Sequence, residues 1–209
     1  MNAAIAGAVL VLFVAACGSA SGSTAVAGQK ASATVPLAGR PLTPTVAQPT
    51  THLTDTNGSP FDVRSATAGK LTFVFFGYTQ CPDVCPTTLA DIAAALNQQT
   101  PAVRAGTTVV FVTTDPDHDS PQTIRRWLNQ FDVSFVGLTG SWTDIAGYAT
   151  ALGLPTIRPE QAPDGSWTVE HVSRVTAFSP DGTARVGYLA SATVANYSHD
   201  IPLLLENRV

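Results

Sequence analysis

Two cysteines four residues apart, Cys81 and Cys85, sit in the stretch Tyr78-Thr79-Gln80-Cys81-Pro82-Asp83-Val84-Cys85-Pro86. Upstream, Leu71 to Tyr78 is a continuous apolar and β-branched run, as a strand buried on both faces requires. Downstream, Pro86 suits a first helical turn, and Leu89, Ile92, Ala93 and Leu96 recur at helical spacing. The pair therefore lies at a strand-to-helix junction, where free backbone N–H groups and the positive end of the helix dipole stabilise a thiolate. Cys81 is expected at or just before the first turn and Cys85 one turn inside, an i, i+4 relation that puts both sulfurs on one face. Such sulfurs can close a reversible disulfide or chelate one metal ion. A purely structural disulfide explains them poorly, because closing so short a loop removes little chain entropy.

Soft thiolates favour Cu(I) and zinc, and imidazole suits copper in either oxidation state. A histidine would make a good third donor, and the chain has four. His52 stands at the domain entrance, His118 in an acidic loop after the next main strand, and His199 in the last helix. His171, in Val169-Glu170-His171-Val172, lies at a bend between two strand-like stretches and is the best candidate, although most lone histidines are surface or packed imidazoles. Asp115-x-Asp117-x-Asp119 resembles the start of a calcium loop, but Ser120 replaces the required glycine and Arg126 the bidentate glutamate. A solvated acidic loop is expected there.

The elements that must position the pair follow from periodicity. Thr107 to Thr113 reads as a second buried strand, and Ser120-Pro121 opens a helix with Ile124, Trp127, Leu128 and Phe131 on one face. Phe135 to Leu138 is a short strand and Trp142 to Leu152 a third helix. Trp167 to Val169 and Arg174 to Phe178 flank His171, and Ser179-Pro180-Asp181-Gly182 turns the chain into Ala184 to Leu189. A final helix is expected from about Ala192 to Glu206, kinked or ended by Pro202. Alternating strands and helices imply an α/β, thioredoxin-like sandwich: a mixed central sheet, helices on both faces and a terminal β-hairpin. No glycine-rich dinucleotide loop follows the first strand.

The first fifty residues have a different texture. Ile5 to Ala16 is apolar, too short to span a bilayer and suited to the h-region of a signal peptide. It ends Val14-Ala15-Ala16-Cys17, like a bacterial lipobox, so residues 1–16 read as a lipoprotein signal peptide and Cys17 as the lipidated residue. Met1 to Ala4 carries no Lys or Arg, which is unusual for such a leader. Residues 17–50, rich in Ala, Ser, Thr, Gly and Pro, read as a flexible tether, and 51–209 as the folded domain. The implied location is the extracytoplasmic face of a bacterial membrane. With 11 Lys+Arg against 15 Asp+Glu and a net charge of −4, no basic run exists to neutralise nucleic-acid phosphates.

Three segments together resemble the Sco/SenC family of thioredoxin-fold copper proteins that assist assembly of the copper site of cytochrome c oxidase. They are Gly77-Tyr78-Thr79-x-Cys81-Pro82-Asp83-Val84-Cys85-Pro86-Thr87-Thr88-Leu89, Thr114-Asp115-Pro116-x-x-Asp119-Ser120-Pro121, and Glu170-His171 with Phe178-Ser179-Pro180-Asp181-Gly182. The resemblance spans roughly residues 50 to 207. It implies copper, Cu(I) or Cu(II), held by Cys81, Cys85 and His171, with oxidase subunit II or another copper-site protein as partner and other copper chaperones possible. Departures are Gln80 where His is frequent, Glu170 where Asp is usual, Val172 after the histidine, and Ala177-Phe178 where a Tyr-Leu pair is usual. Asp115 either hydrogen-bonds near the site or caps its own loop.

Two functions share these residues. One is a membrane-anchored metallochaperone that passes copper by ligand exchange. The other is a thiol-disulfide oxidoreductase in which Cys81 attacks a target disulfide and Cys85 resolves the mixed disulfide. A thiol peroxidase fits less well, since Phe75 and Thr79 do not place the Pro and Thr of a peroxiredoxin motif correctly before Cys81.

Overall fold

The computed structural model describes residues 35–155, 160–161, 163, 167–168 and 173–207. In chain order its elements begin with β1 (Arg40–Ala47), β2 (Leu53–Asp55), β3 (Pro60–Phe61), α1 (Val63–Ala66), β4 (Leu71–Gly77) and α2 (Val84–Asn97). They continue with α3 (Pro101–Ala105), β5 (Thr107–Thr113), α4 (Pro121–Leu128), β6 (Val136–Thr139) and α5 (Trp142–Ala151). The last are β7 (Glu160–Gln161), β8 (Trp167–Thr168), β9 (Val175–Phe178), β10 (Thr183–Tyr188) and α6 (Val194–Leu205). Eight strands form one sheet in the order β1-β10-β9-β4-β5-β6-β2-β3, and β7 and β8 pair separately. β4, β5 and β6 are mutually parallel, whereas β9 joins β4 antiparallel and forms a hairpin with β10.

The centre of this sheet follows from the apolar runs. Along β4, Leu71, Phe73 and Phe75 face one side, where Leu89, Ile92 and Leu96 of α2, Ile124 and Leu128 of α4, and Tyr197 and Ile201 of α6 cover them. Val74 and Phe76 face the other side, against Ile145, Tyr148 and Ala149 of α5 and Val63 of α1. β5 alternates in the same way, with Val109 and Phe111 on the first face and Val110 and Val112 on the second. Each large apolar side chain so buried contributes about 1.5–3 kcal/mol. The result is the thioredoxin-like α/β sandwich expected from the sequence. The helix starts also agree: Ser120 Oγ accepts the Thr123 N–H at 3.2 Å, with Pro121 in the first turn. The hairpin turn closes through the Gly182 N–H on the Ser179 carbonyl at 2.8 Å, with Gly182 at φ 75°.

Two expectations are corrected. Residues 40–47 lie within the stretch assigned to the tether, yet they form edge strand β1 against β10. The strand is legible only in tertiary context. It is largely exposed, interrupted in register between Pro41 and Val46, and held mainly by Leu42 and Val46 packing on the second face. The approach to β1 is fixed from below, since the Ala38 and Gly39 N–H groups each donate to the Asp200 carboxylate at 2.9 Å. Secondly, β2, β3, α1 and α3 are short elements that periodicity does not reveal. The last helix agrees with its expected span: α6 runs through Pro202 to Leu205. The carbonyl that Pro202 leaves without its helical donor belongs to Ser198, and Gln99 Nε2 of the segment after α2 donates to it at 3.1 Å.

Candidate functional site

β4 ends at Gly77, and the chain crosses a short loop before α2 begins at Val84. Cys81 is therefore off the helix and Cys85 is its second residue, so the two sulfurs are not brought together by sharing a helical face. The loop does this. The Cys81 N–H returns to the Tyr78 carbonyl at 3.2 Å, and Cys81 Sγ accepts the Cys85 N–H at 3.3 Å. Asp83, the N-cap of α2, makes no capping bond with its side chain. Cys81 sulfur takes that place and meets a free N–H at the positive end of a fourteen-residue helix. A thiolate there is stabilised in the way the sequence leads one to expect.

The two thiols are unequal. Cys85 is fully buried and Cys81 retains 6% exposure, and both are thiols in this structure, not a disulfide. The hydrogen bond between the Cys85 thiol and Cys81, reinforced by burial, pushes the Cys85 thiol far up and outweighs the favourable Tyr78 N–H. Cys81 is thus the more exposed sulfur and the one that meets the helix N-terminus. Burial, followed by the neighbouring Cys81 and Cys85, also raises Tyr78. Around them stand Phe75, Phe111 and Leu89. Gly77 is the necessary gap in this wall, because a Cβ added there would lie 2.8 Å from Cys85 Sγ and 3.1 Å from Phe111 Cε2.

The loop between β5 and α4 packs beside the cysteine loop, tied by the Thr114 N–H on the Gly77 carbonyl at 2.7 Å. Asp115 closes this loop: its Oδ1 meets His118 Nδ1 at 2.8 Å, and its carbonyl accepts the His118 and Asp119 N–H groups at 3.2 and 2.9 Å. Asp115 therefore caps its own loop. The hydrogen bond to Asp115 raises the His118 imidazole. Sequence reasoning gave Asp119 no role, yet it is buried and its carboxylate accepts the Thr79 N–H at 3.0 Å, the Thr79 hydroxyl, and the Thr113 hydroxyl at 2.6 Å. Burial raises Asp119, opposed by the Thr113 and Thr79 hydrogen bonds. With Asp115 and Asp119 buried and the Asp119 carboxylate turned onto threonines, this is not the solvated acidic loop expected from the sequence. The place of Asp119 in Asp-Pro-x-x-Asp-Ser-Pro was the available signal.

Cys81 and Cys85 are thus assembled. His171 and Cys17 lie outside the described residues. Among the described residues, no group of three His, Cys, Asp or Glu side chains is arranged to hold a metal. His52 is exposed before β2, and His199 pairs with Asp200 at 2.6 Å on α6.

The SCO1/SenC family model matches residues 42–205. This chain belongs to the SCO1/SenC family. A Stutzerimonas stutzeri protein whose name describes it as copper-binding is 32% identical over 159 residues, covering 76% of this chain and 77% of that protein. Mitochondrial SCO1 of Saccharomyces cerevisiae is 31% identical over 137 residues, 63% of this chain but only 44% of its own. Copper-bound ScoI of Bradyrhizobium japonicum superimposes with a TM-score of 0.67 at 30% identity, over 77% of this chain and 99% of ScoI. The SCO1/SenC match therefore includes β1 from Leu42 onward, in agreement with its place in the sheet.

Proposed function

We propose that this SCO1/SenC protein is a copper metallochaperone, held at the extracytoplasmic membrane face by acylated Cys17, which assists assembly of the copper site of cytochrome c oxidase subunit II. Sco proteins are a family of cytochrome c oxidase assembly proteins, and relatives of this chain bind copper. One observation carries the reading: two thiols, both buried in apolar surroundings and tied by the Cys85 main-chain N–H donating to Cys81 Sγ, which caps a helix. The donor set fits. Two soft sulfurs in a dry pocket favour Cu(I), and an imidazole from His171 would add a donor suited to Cu(II). Cys81 holds the more accessible position, so an incoming acceptor thiol would displace it first.

The reduced chain is titrated with Cu(I), then Cu(II), following thiolate-to-copper charge-transfer absorption. One copper per chain is expected, lost in Cys81→Ser and Cys85→Ser, with His171→Ala weakening Cu(II) more than Cu(I). Stoichiometric copper in the double serine variant would sink the site. For the anchor, mass spectrometry of the membrane fraction is expected to show diacylglycerol on Cys17, and Cys17→Ser is expected to leave the membrane.

The inequality of the thiols favours one alternative, thiol-disulfide exchange. The Cys81 thiolate would attack a target disulfide, forming one S–S bond and releasing one target thiolate. Cys85, giving up its proton to that leaving sulfur, would attack Cys81 sulfur and release the second. The target gains two electrons and the chain ends as the Cys81–Cys85 disulfide. Rapid exchange with a model disulfide, without copper uptake, is the result that would select this function.

A further inference from the structure

Thr79 and Asp119 stand 40 residues apart and meet in one lock. The Asp119 carboxylate is 1% exposed. It accepts the Thr79 main-chain N–H at 3.0 Å through Oδ2 and the Thr79 hydroxyl through Oδ1. Thr113 donates its hydroxyl to the same Oδ2 at 2.6 Å while accepting the Asp115 N–H at 3.0 Å. A buried carboxylate with three donors is tightly oriented, since each bond is charge-assisted and hidden from water.

This lock is not needed to join the strands. β4 and β5 pair in register from Leu71↔Thr107 to Gly77↔Thr113, and Thr114 adds a further bond to Gly77. What lies beyond the ladder is the loop that carries Cys81, and Thr79 is two residues before that sulfur. We propose that Asp119 is a positioning residue for the cysteine pair: through Thr79 it holds the Cys81 loop at the separation from Cys85 at which both sulfurs can share one ion or close a disulfide. The inference rests on Cys81 and Cys85 being the copper or redox site.

The test uses the full chain with Asp119→Ala, Asp119→Asn and Thr79→Val. Three quantities are measured: Cu(I) affinity, the copper–thiolate absorption spectrum, and the reduction potential of the cysteine pair in glutathione buffers. Asp119→Ala is expected to weaken Cu(I) by about 10–100-fold, the usual range for an outer partner of a metal site, with shifted spectrum and potential. Asp119→Asn offers an oxygen to the Thr79 N–H and an amide to its hydroxyl, so it is expected to recover most of the loss. Lower thermal stability in Asp119→Ala with unchanged affinity, spectrum and potential would overturn the proposal and leave a purely structural carboxylate. If the parent chain takes up no copper, the copper reading fails, and the reduction potential alone decides: shifted upholds the positioning role, unchanged overturns it. Should Asp119→Ala not fold, Thr79→Val, which removes one hydroxyl, is expected to show a smaller change in the same three quantities, and no change in any of them overturns the proposal.

Discussion

Replacing Gly77 with alanine tests whether the site depends on the gap beside Cys85. The new Cβ would stand 2.8 Å from Cys85 Sγ, 3.1 Å from Phe111 Cε2 and 3.4 Å from Phe75 Cε1. Comfortable contact needs about 3.5–4.0 Å, so the sulfur must retreat by roughly 0.7–1.2 Å. It has little room, because Cys85 is fully buried on the first turn of α2. Overpacking of this size costs about 1–3 kcal/mol. Loss of glycine's freedom in the unfolded chain returns about 0.4–1 kcal/mol. The net expectation is a loss of about 1.5 kcal/mol, or a Tm lower by about 3–6 °C for a domain of this size. Urea unfolding of the reduced, metal-free chain measures it, in a cycle with Cys85→Ala. Removing the sulfur removes the main clash, so the double variant is expected to recover about 1 kcal/mol relative to additivity, beyond the ~0.3–0.5 kcal/mol scatter of independent sites. Additive losses would refute the steric reasoning, and Gly77 would then be explained by something other than room for sulfur.

Other perturbations probe the supports. Asp200→Ala strips the acceptor from the Ala38 and Gly39 N–H groups and from the Tyr188 hydroxyl at 2.8 Å, all around a fully buried carboxylate. A loss of about 2–5 kcal/mol in urea unfolding is expected, with early proteolysis before β1. His118 is raised by its hydrogen bond to Asp115, so the stability it contributes is full below the ordinary imidazole value and fades as pH rises through the folded one. Imidazole titration by NMR is expected to show this elevation and its collapse in Asp115→Asn. Burial pushes Asp132 up, but the Ser134 N–H and hydroxyl and the Arg104 ion pair outweigh it and leave the carboxyl depressed. Its contribution is therefore present above the ordinary carboxylate range and lost as pH falls through the folded value. Asp132→Asn is expected to flatten the stability profile in acid, measured by thermal melts across that range.

Much of the fold was legible because its elements advertise themselves locally. Leu71 to Gly77 and Thr107 to Thr113 are apolar on both faces, and Ser120-Pro121 states a helix start in two residues. β1 was illegible for the opposite reason. Pro41 and Pro44 in an exposed, polar run look like linker, and only the free edge of β10 makes that run a strand. Pro202 left a kink or an end of the last helix open, and only the contact from Gln99, 99 positions before Ser198, shows how the Ser198 carbonyl is satisfied.

For the site, residue chemistry was local and its geometry was not. Cysteine spacing, the strand-to-helix junction and the family motifs singled out Cys81 and Cys85 as the candidate pair, because thiol softness and helix-end electrostatics depend on residue type and nearby sequence. Which sulfur caps the helix, which carries the proton, why Gly77 must lack a side chain and where Asp119 points depend on contacts made across the sheet. Sequence thus determined what chemistry the chain could perform. Tertiary structure decided which atoms face one another, because hydrogen bonds and van der Waals clashes act over a few ångströms and join residues far apart in the chain.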